Sequence, residues 1–292
     1  SDDQLEAFLS VQSGRSPFHF ATGIEHFDTF SEQAKRARNL AIGMVGLLNL
    51  RPTGYRDEYN GRLVHDIMPK PGKDNEASSS GRAALPMHSD MAFLRFSGEV
   101  SHTMLAAAPD FLVLVGVANV DQLPTRIITL EEILENLDKK SVEDLHKEDF
   151  CFHPPESVRA GAYAENSAVL RMHSSRGLQI RYNGAKNKNG TNKVQAQSKD
   201  AEEALAKLDA VLTNESIGKS FTIMPGSILV FNNRKVLHGR NAIAPSDMAE
   251  NEDKGTNDEE TKRAFRRAYA HFIDTDSNSI SDRKPFVHAF GG

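Results

Sequence analysis

Three consecutive residues in the first third of the chain, His88-Ser89-Asp90, have the types and spacing of a metal-binding pair. If this segment is a strand, residues i and i+2 lie on one face, so the imidazole and the carboxylate could bind one cation together. A second histidine would complete a set of two histidines and one carboxylate, which leaves coordination positions open for small molecules. The triplet alone is weak, because the chain contains two other His-x-Asp/Glu matches.

The two competing triplets have simpler explanations. His26-Phe27-Asp28 lies at the start of a predicted helix over 28–50, where Asp28 or Thr29 would serve as the N-cap. His146-Lys147-Glu148 lies in the charged tail of a second predicted helix over 130–146. We therefore expect His88-Ser89-Asp90 to bind the metal. The histidines without a matching context are interpreted as surface or core residues: His65, His102, His153 and His173.

The other candidate groups lie in the C-terminal third. His238, in Val236-Leu237-His238-Gly239-Arg240, is the candidate for the second histidine. Arg263 and Arg267 fall in a predicted strand at an even separation, so their side chains share one face. Two inward guanidinium groups are costly unless each meets an anion, and two small carboxylate-bearing molecules would satisfy them. His271 has the same strand phase and could also face inward, either as a packed or substrate-side histidine or as a rival metal ligand.

In this order and spacing, the motifs resemble those of the Fe(II)- and 2-oxoglutarate-dependent dioxygenases. Within that group, the chain resembles the clavaminate synthase-like amino-acid hydroxylases and, more distantly, taurine dioxygenase. The resemblance runs from about residue 62 to 275. It includes Ser78-Ser79-Ser80-Gly81 before the triplet and Ala108-Pro109-Asp110-Phe111-Leu112-Val113-Leu114 after it.

The resemblance implies that His88, Asp90 and His238 are the ligands of Fe(II). Clavaminate synthase-like enzymes usually have glutamate where Asp90 stands, but aspartate is normal in the wider superfamily, so the ligand role is kept. Because this position is a carboxylate and not a small residue, no coordination position is freed for a halide. The resemblance therefore favours hydroxylation over halogenation.

The resemblance also implies how the organic molecules bind. Arg263 and Thr125 match the residues that bind the distal carboxylate of 2-oxoglutarate, with Arg267 or Arg240 as the alternative arginine. Arg267 matches an arginine that often holds the acidic group of the prime substrate, although a structural salt bridge is the competing interpretation. The separation of His238 from Arg263 exceeds the usual one, and an acidic insertion over 246–262 accounts for the excess.

The implied activity is oxidative decarboxylation of 2-oxoglutarate with O2, coupled to hydroxylation of an unactivated C–H bond. The expected substrate is a small molecule, a free amino acid or a close derivative. Two alternatives stay open: an oxygenase of a sulfonate or another small acid, and a metal-binding jelly-roll protein without turnover. The second alternative has no need of Arg263 and Thr125.

The expected fold is mainly β with flanking helices, namely a double-stranded β-helix, or jelly roll, formed by residues 1–292 as one domain. A third helix is predicted at 199–213. Two polar segments are predicted loops: 183–193, which could act as a lid, and the acidic 246–262. The strands are predicted at 111–117, 177–182, 221–224, 227–231 and 266–273.

Composition limits the remaining function classes. The 292 residues are 39% hydrophobic and 26% charged, which is ordinary for a globular protein. The net charge of −5 gives no support to nucleic-acid binding, and the single cysteine, Cys151, excludes a disulfide framework or cysteine-based zinc site. There is no signal-peptide pattern and no apolar run of roughly 20 residues, so we expect a cytoplasmic protein without membrane contact. The oligomeric state stays open.

Overall fold

The computed structural model describes residues 2–22, 30–70, 72–73, 75–99, 105–155, 163–187, 190–243, 263–274, 280–281 and 284–288. In these ranges strands outnumber helices, which confirms the predicted mainly β fold with flanking helices. The helices are α1 (Asp2–Gln12), α2 (Phe30–Leu47), α3 (Leu130–Glu135), α4 (Lys139–Leu145) and α5 (Lys199–Thr213).

The strands pair into two larger sheets and two small ones. In chain order they are β1 (Phe18–Ala21), β2 (Arg51–Tyr55), β3 (Val64–Ile67), β4 (Leu85–His88), β5 (Phe111–Asn119), β6 (Thr125–Thr129), β7 (Phe150–Phe152), β8 (Ala164–Ser167), β9 (Leu170–His173), β10 (Gly177–Ile180), β11 (Val194–Ala196), β12 (Lys219–Phe221), β13 (Ile228–Asn232), β14 (Val236–Arg240), β15 (Arg263–His271), β16 (Ile280–Ser281) and β17 (Lys284–His288).

The larger sheet has the order β1-β13-β5-β15-β2-β17-β16, and β3 also pairs with β15. Its central strand β15 is buried along its whole length. Successive side chains of a strand point to opposite faces. Three alanines on one face, Ala264, Ala268 and Ala270, pack in a cluster with helix α2. The opposite face carries Arg263 and Arg267, which line a cavity. The pattern of β15 therefore separates a packing face from a polar face.

The smaller sheet, β12-β6-β14-β4, carries the predicted histidines. Strand β14 runs antiparallel to β4, and His238 lies directly opposite His88 in the register. The register shifts after this pair. The next residue is Gly239, and a Cβ at this position would lie only 2.8 Å from the carbonyl oxygen of Leu85, so no larger residue fits there. The main hydrophobic core joins residues of both sheets, including Leu112, Leu114, Ile127, Leu237, Phe265 and Tyr269.

The predicted helices are confirmed, with one correction. Helix α5 matches the predicted 199–213, and α2 lies within the predicted 28–50, whose suggested caps fall outside the described residues. The predicted helix over 130–146 is instead two helices. Asp138 accepts a hydrogen bond from the main-chain N–H of Ser141 and starts α4, so its side chain replaces the continuing helical bonds at that point.

The predicted strands at 111–117, 177–182, 227–231 and 266–273 correspond to β5, β10, β13 and β15. The predicted strand over 221–224 is wrong for most of its length, because β12 already ends at Phe221. Strand β12 pairs with β6 in the smaller sheet, whereas β13 pairs with β5 and β1 in the larger one. Residues 222–227 therefore carry the chain from one sheet to the other.

Two further predictions concern the acidic segment and membrane-spanning helices. The acidic segment 246–262 lies outside the described residues. Among the residues that are described, none of the helices combines the length and the apolar character needed to cross a membrane.

Candidate metal centre

Three potential ligand atoms converge where β4 meets β14. His88 ends β4, His238 faces it from β14, and the two ring centroids are 4.2 Å apart. Asp90 follows in the turn after β4, and its Oδ1 lies 3.2 Å from Nε2 of His88 and 3.7 Å from Nε2 of His238. Ligand atoms each about 2.1 Å from one cation, at right angles, would be about 3 Å apart. The three buried donors therefore fit adjacent positions around a small metal ion.

The two oxygens of Asp90 have different surroundings. Oδ1 faces the two imidazoles, as described above. Oδ2 accepts a hydrogen bond from Nη1 of Arg267 at 2.8 Å and another from the hydroxyl of Tyr269 at 3.0 Å. Protein donors thus hold one oxygen and leave the other directed at the histidines, which is the arrangement of a carboxylate that binds metal through one oxygen.

The imidazoles are prepared for metal binding. Nδ1 of His88 lies 2.9 Å from the carbonyl oxygen of Pro86, and a hydrogen bond donated there leaves the lone pair of Nε2 directed at Asp90. Burial, followed by the charge of His88, lowers the pKa of His238 to about 3. A neutral imidazole is the form that binds a metal. Both histidines are therefore suited to act as nitrogen ligands.

The positive charge of Arg267 keeps the carboxyl group of Asp90 ionised. Burial alone would raise the pKa of Asp90, but the positive charge of the Arg267 guanidinium at 2.8 Å outweighs burial and holds this pKa below its usual range. Arg267 also donates to Oε1 of Glu58 at 2.9 Å. Burial, only partly offset by Arg267, raises the pKa of Glu58 to about 7. Arg267 thus bridges Asp90, the candidate metal ligand, and Glu58, a second carboxylate at the cavity wall.

A second polar site lies beside the metal centre. Arg263 is buried and donates from Nη2 to the hydroxyl of Thr125 at 3.1 Å, while its guanidinium lies 4.2 Å from the ring centroid of Phe265. Burial, and then the positive charge of Arg240, lower the pKa of Arg263 to about 9. Among the described residues no carboxylate pairs with Arg263. A desolvated cation of this kind is a binding site for an anion.

Arg240, the alternative arginine, is occupied. Its guanidinium donates to the main-chain carbonyl oxygens of Ala83, Asn241, Ser78 and Gly81. These bonds tie the loop before β4 to the strand that carries His238. The group acts as a structural connection here, which leaves Arg263 as the better candidate for binding a carboxylate.

All six predicted site residues line one cavity, namely His88, Asp90, Thr125, His238, Arg263 and Arg267. The cavity has a volume of about 320 Å³, within the range of small-molecule sites. Glu58 and Ser80 also line it. The predicted lid loop begins beside the metal centre, because Asn183 forms a β-bridge with His88 and both Asn183 and Lys193 line the cavity.

Two alternatives from the sequence are decided by the packing. His271, the rival ligand, is buried against Asp110, with 3.0 Å between its Nδ1 and Oδ2 of Asp110, and does not line the cavity. It is therefore removed from the ligand set, although it shares the strand phase of Arg263 and Arg267. For Arg267, the structure shows ion pairs with Asp90 and Glu58, so direct contact with a substrate stays a prediction.

Sequence reasoning missed the partners of Arg267. Nδ1 of His65 lies 3.0 Å from its Nη2, Tyr59 stacks on His65, and Glu58 and Tyr269 complete the group. Of these residues, only Tyr269 could have been predicted from the sequence, because it is two residues from Arg267 in the same strand and so lies on the same face. His65 lies on β3, directly opposite Arg267 in the register of β3 against β15, and Glu58 lies in the segment between β2 and β3. Both are about 200 residues away from Arg267 in the chain, and no local sequence pattern indicates this strand pairing.

Comparisons with known proteins agree with this geometry. Residues 131–269 match the family model of the taurine catabolism dioxygenases TauD, TfdA. The L-asparagine oxygenase of Streptomyces coelicolor is 24% identical over 196 residues, which cover 66% of this chain and 53% of that protein. The matched region thus spans about half the length of this curated relative.

Two solved structures share the fold. Asparagine oxygenase in complex with Fe(II), 2S,3S-3-hydroxyasparagine and succinate superposes with a TM-score of 0.75 and 18% identity over 99% of this chain and 85% of that one. The non-heme iron oxygenase OrfP in complex with Fe and alpha-ketoglutaric acid gives a TM-score of 0.72 and 18% identity over 100% and 86%. The comparisons confirm the predicted resemblance: this chain is similar to the taurine catabolism dioxygenases TauD, TfdA over residues 131–269 and shares the fold of asparagine oxygenase and OrfP.

Proposed function

We propose that this chain is an Fe(II)- and 2-oxoglutarate-dependent oxygenase that hydroxylates a free amino acid or a close derivative. The observation that carries the proposal is the presence, in one cavity, of three convergent metal donors and a buried arginine that lacks a carboxylate partner among the described residues. A metal-binding protein without turnover would need the donors but not the arginine.

His88, Asp90 and His238 would hold the metal. Two imidazoles and one carboxylate suit Fe(II) and leave positions for two further molecules. When bound, Fe(II) supplies the redox chemistry by which O2 oxidatively decarboxylates 2-oxoglutarate to succinate and CO2 and places the second oxygen atom in a C–H bond. The protein contributes placement, and a displacement of about 1 Å in such a site can cost on the order of 100-fold in rate.

Arg263 and Thr125 would bind the distal carboxylate of 2-oxoglutarate. The guanidinium already donates to the threonine hydroxyl, so the two groups are fixed relative to each other before any anion arrives. A charge-assisted, bidentate pair in a site with little water is strong and sets the direction of the bound molecule. The keto end of the cosubstrate would then face the metal centre in the same cavity.

Glu58 supports an amino-acid substrate. Its Oε1 accepts from Arg267, whereas its buried Oε2 accepts no hydrogen bond from any residue that the structure describes, and Glu58 lines the cavity. An ammonium group placed there would satisfy this oxygen. Two solved structures of the same fold contain a hydroxylated amino acid: asparagine oxygenase holds 2S,3S-3-hydroxyasparagine, and another complex of OrfP holds (3S)-hydroxy-L-Arg.

The finer description of the fold belongs to the same proposal. The larger sheet, with β15, and the smaller sheet, with β14 and β4, would be the two faces of a double-stranded β-helix that encloses the cavity, within one domain. The pairing of His88 with His238 on one face and the arginines on the other supports this arrangement. The loop at 183–193 would act as a lid.

The proposal is tested by reconstituting the metal-free protein anaerobically with Fe(II) and adding 2-oxoglutarate. We expect the visible charge-transfer absorption of a metal-bound 2-oxo acid, and an Asp90→Ala protein serves as the matched control that should lack it. Succinate release in air is then measured across a panel of amino acids and small sulfonates. Stimulation by an amino acid supports the proposal, and stimulation only by a sulfonate would favour the second substrate class. No absorption band from correctly folded, metal-loaded protein would contradict the enzyme assignment.

A further inference from the structure

We infer that Asn233 is a positioning residue for the metal ligand Asp90, and that it works by holding the main chain of Asp90 with its side-chain amide. The inference rests on the proposed function, since it takes Asp90 as a ligand. Asn233 is not among the residues that the sequence motifs indicate, and it does not line the cavity. Asn233 can therefore influence metal binding only through another residue, here Asp90.

The side chain of Asn233 forms a two-point contact with Asp90. Its Oδ1 accepts from the main-chain N–H of Asp90 at 2.9 Å, and its Nδ2 donates to the carbonyl oxygen of Asp90 at 3.0 Å. Nδ2 also donates to the carbonyl oxygen of Pro109 at 2.9 Å. Asn233 is fully buried, so water does not compete for these bonds.

The contact replaces strand pairing at the point where the ligand stands. Strand β4 ends at His88, so Asp90 lies beyond the last ladder position of the strand. Asn233 lies in the turn between β13 and β14, five residues before His238. A side-chain amide has the same donor and acceptor as a peptide group, and here it joins the Asp90 segment to the hairpin that carries the other distant ligand.

The backbone next to Asp90 needs such support. Met91 has a φ of +58°, in the left-handed region that residues with a side chain rarely adopt. A conformation of this kind persists only where surrounding contacts hold it. The two bonds from Asn233 fix the peptide groups on both sides of Asp90, directly before this residue. They therefore determine the direction in which the Asp90 carboxylate leaves the chain.

Asn119, the last residue of β5, is a matched control for Asn233. Asn119 is buried, accepts from the N–H of Leu123 at 3.0 Å, and donates to the carbonyl oxygens of Leu123 at 3.0 Å and Ile223 at 3.3 Å. Its side chain thus makes the same three kinds of bond as Asn233. It contacts none of the three metal donors, so its loss reports the structural cost of such bonds alone.

The test compares Asn233→Ala, Asn119→Ala and the parent protein by titrating Co²⁺ into the metal-free forms without 2-oxoglutarate. We expect Asn233→Ala to weaken the Co²⁺ affinity by about 10- to 100-fold, the range for residues that orient metal ligands, and to alter the visible absorption of bound Co²⁺. Asn119→Ala should lower the thermal unfolding temperature comparably and keep the parent affinity and absorption.

The outcomes separate this inference from the proposed function. If the parent protein binds no Co²⁺, the proposed metal centre itself is wrong. If the parent binds and Asn233→Ala binds equally well with the same absorption, the positioning role is wrong and the metal centre stands. If Asn233→Ala does not fold, Asn233→Ser, which keeps a shorter polar group in the turn, is compared with Asn119→Ser by the same titration, and equal affinities would again overturn the role of Asn233.

Discussion

Arg267 reaches across from the larger sheet and donates to Oδ2 of Asp90 over 2.8 Å, while the other oxygen of that carboxylate faces the two histidines. The same guanidinium donates to Glu58 at 2.9 Å. The carboxylate of Asp90, the proposed metal ligand, is therefore oriented by a residue of the opposite sheet. Arg267 therefore contributes to the stability of the fold, to the ionisation of Asp90 and to the position of Glu58 in the cavity wall.

Replacing Arg267 by alanine tests that link. The change leaves the buried carboxylates Asp90 and Glu58 without their cation, and breaking a buried pair in this way costs about 3–5 kcal/mol of the free energy of unfolding. We also expect weaker divalent-metal binding without any substrate present. The control is Arg266→Ala, which removes an ion pair with Asp66 on the other face of β15. A variant that only raised the KM for substrate would instead support direct substrate contact by Arg267.

Removal of the Arg263 guanidinium should weaken 2-oxoglutarate binding by about 10- to 100-fold, because a hydrogen bond to a charged group contributes about 1.5–3 kcal/mol. Thr125→Val should have a smaller effect, since it removes one neutral hydroxyl. Affinity is measured by equilibrium dialysis with metal-loaded protein under anaerobic conditions, and Co²⁺ affinity serves as the control that should not change. Unchanged 2-oxoglutarate affinity in Arg263→Ala would mean that another group binds the cosubstrate.

Divalent metal should stabilise the parent protein against heating. A ligand that binds only the folded state at 100 times its Kd adds about 2.7 kcal/mol to the free energy of unfolding. We expect His238→Ala to lose this shift in a thermal unfolding experiment, because one of three donors is removed. His146→Ala, at the exposed end of α4, is the matched histidine control and should keep the shift. An equal shift in both variants would place the metal elsewhere.

The charge of Glu58 should determine which substrates bind. Glu58→Gln keeps the shape of the side chain and removes the negative charge that would pair with an ammonium group. We expect a large increase in the KM for the best amino acid, with 2-oxoglutarate affinity unchanged, measured by succinate release. If the KM stays at the parent value, Glu58 serves only as a partner of Arg267.

His65 should make the metal-free protein sensitive to acid. Burial, and then the charge of Arg267, lower the pKa of His65 to about 3, below its ordinary value of 6.5. Between these values the unfolded chain binds a proton that the folded chain does not, so stability falls as the pH falls. His65→Gln should reduce this loss by about 1.4 kcal/mol per pH unit in denaturant titrations. An unchanged pH dependence of stability in His65→Gln would contradict this role of His65.

Local patterns in the sequence determined several features of this protein. Helix α5 was predicted at its observed bounds because residues 199–213 are rich in Ala, Leu, Glu and Lys, and the structure adds that Ser198 caps the helix through the N–H of Ala201. The shared face of Arg263 and Arg267 followed from strand alternation, which needs no knowledge of neighbouring strands. The triplet His88-Ser89-Asp90 was chosen because its rivals had local explanations. Each of these inferences depends on residues a few positions apart.

Only the tertiary structure decided which distant groups meet. The register of β14 against β4 placed His238 opposite His88, and strand phase alone could not show that His271 would pair with Asp110 outside the cavity. Glu58 reached Arg267 from more than 200 residues away in the chain. The physical reason is that a buried charge or amide takes the nearest partner in space, and that choice depends on packing between elements far apart in the sequence.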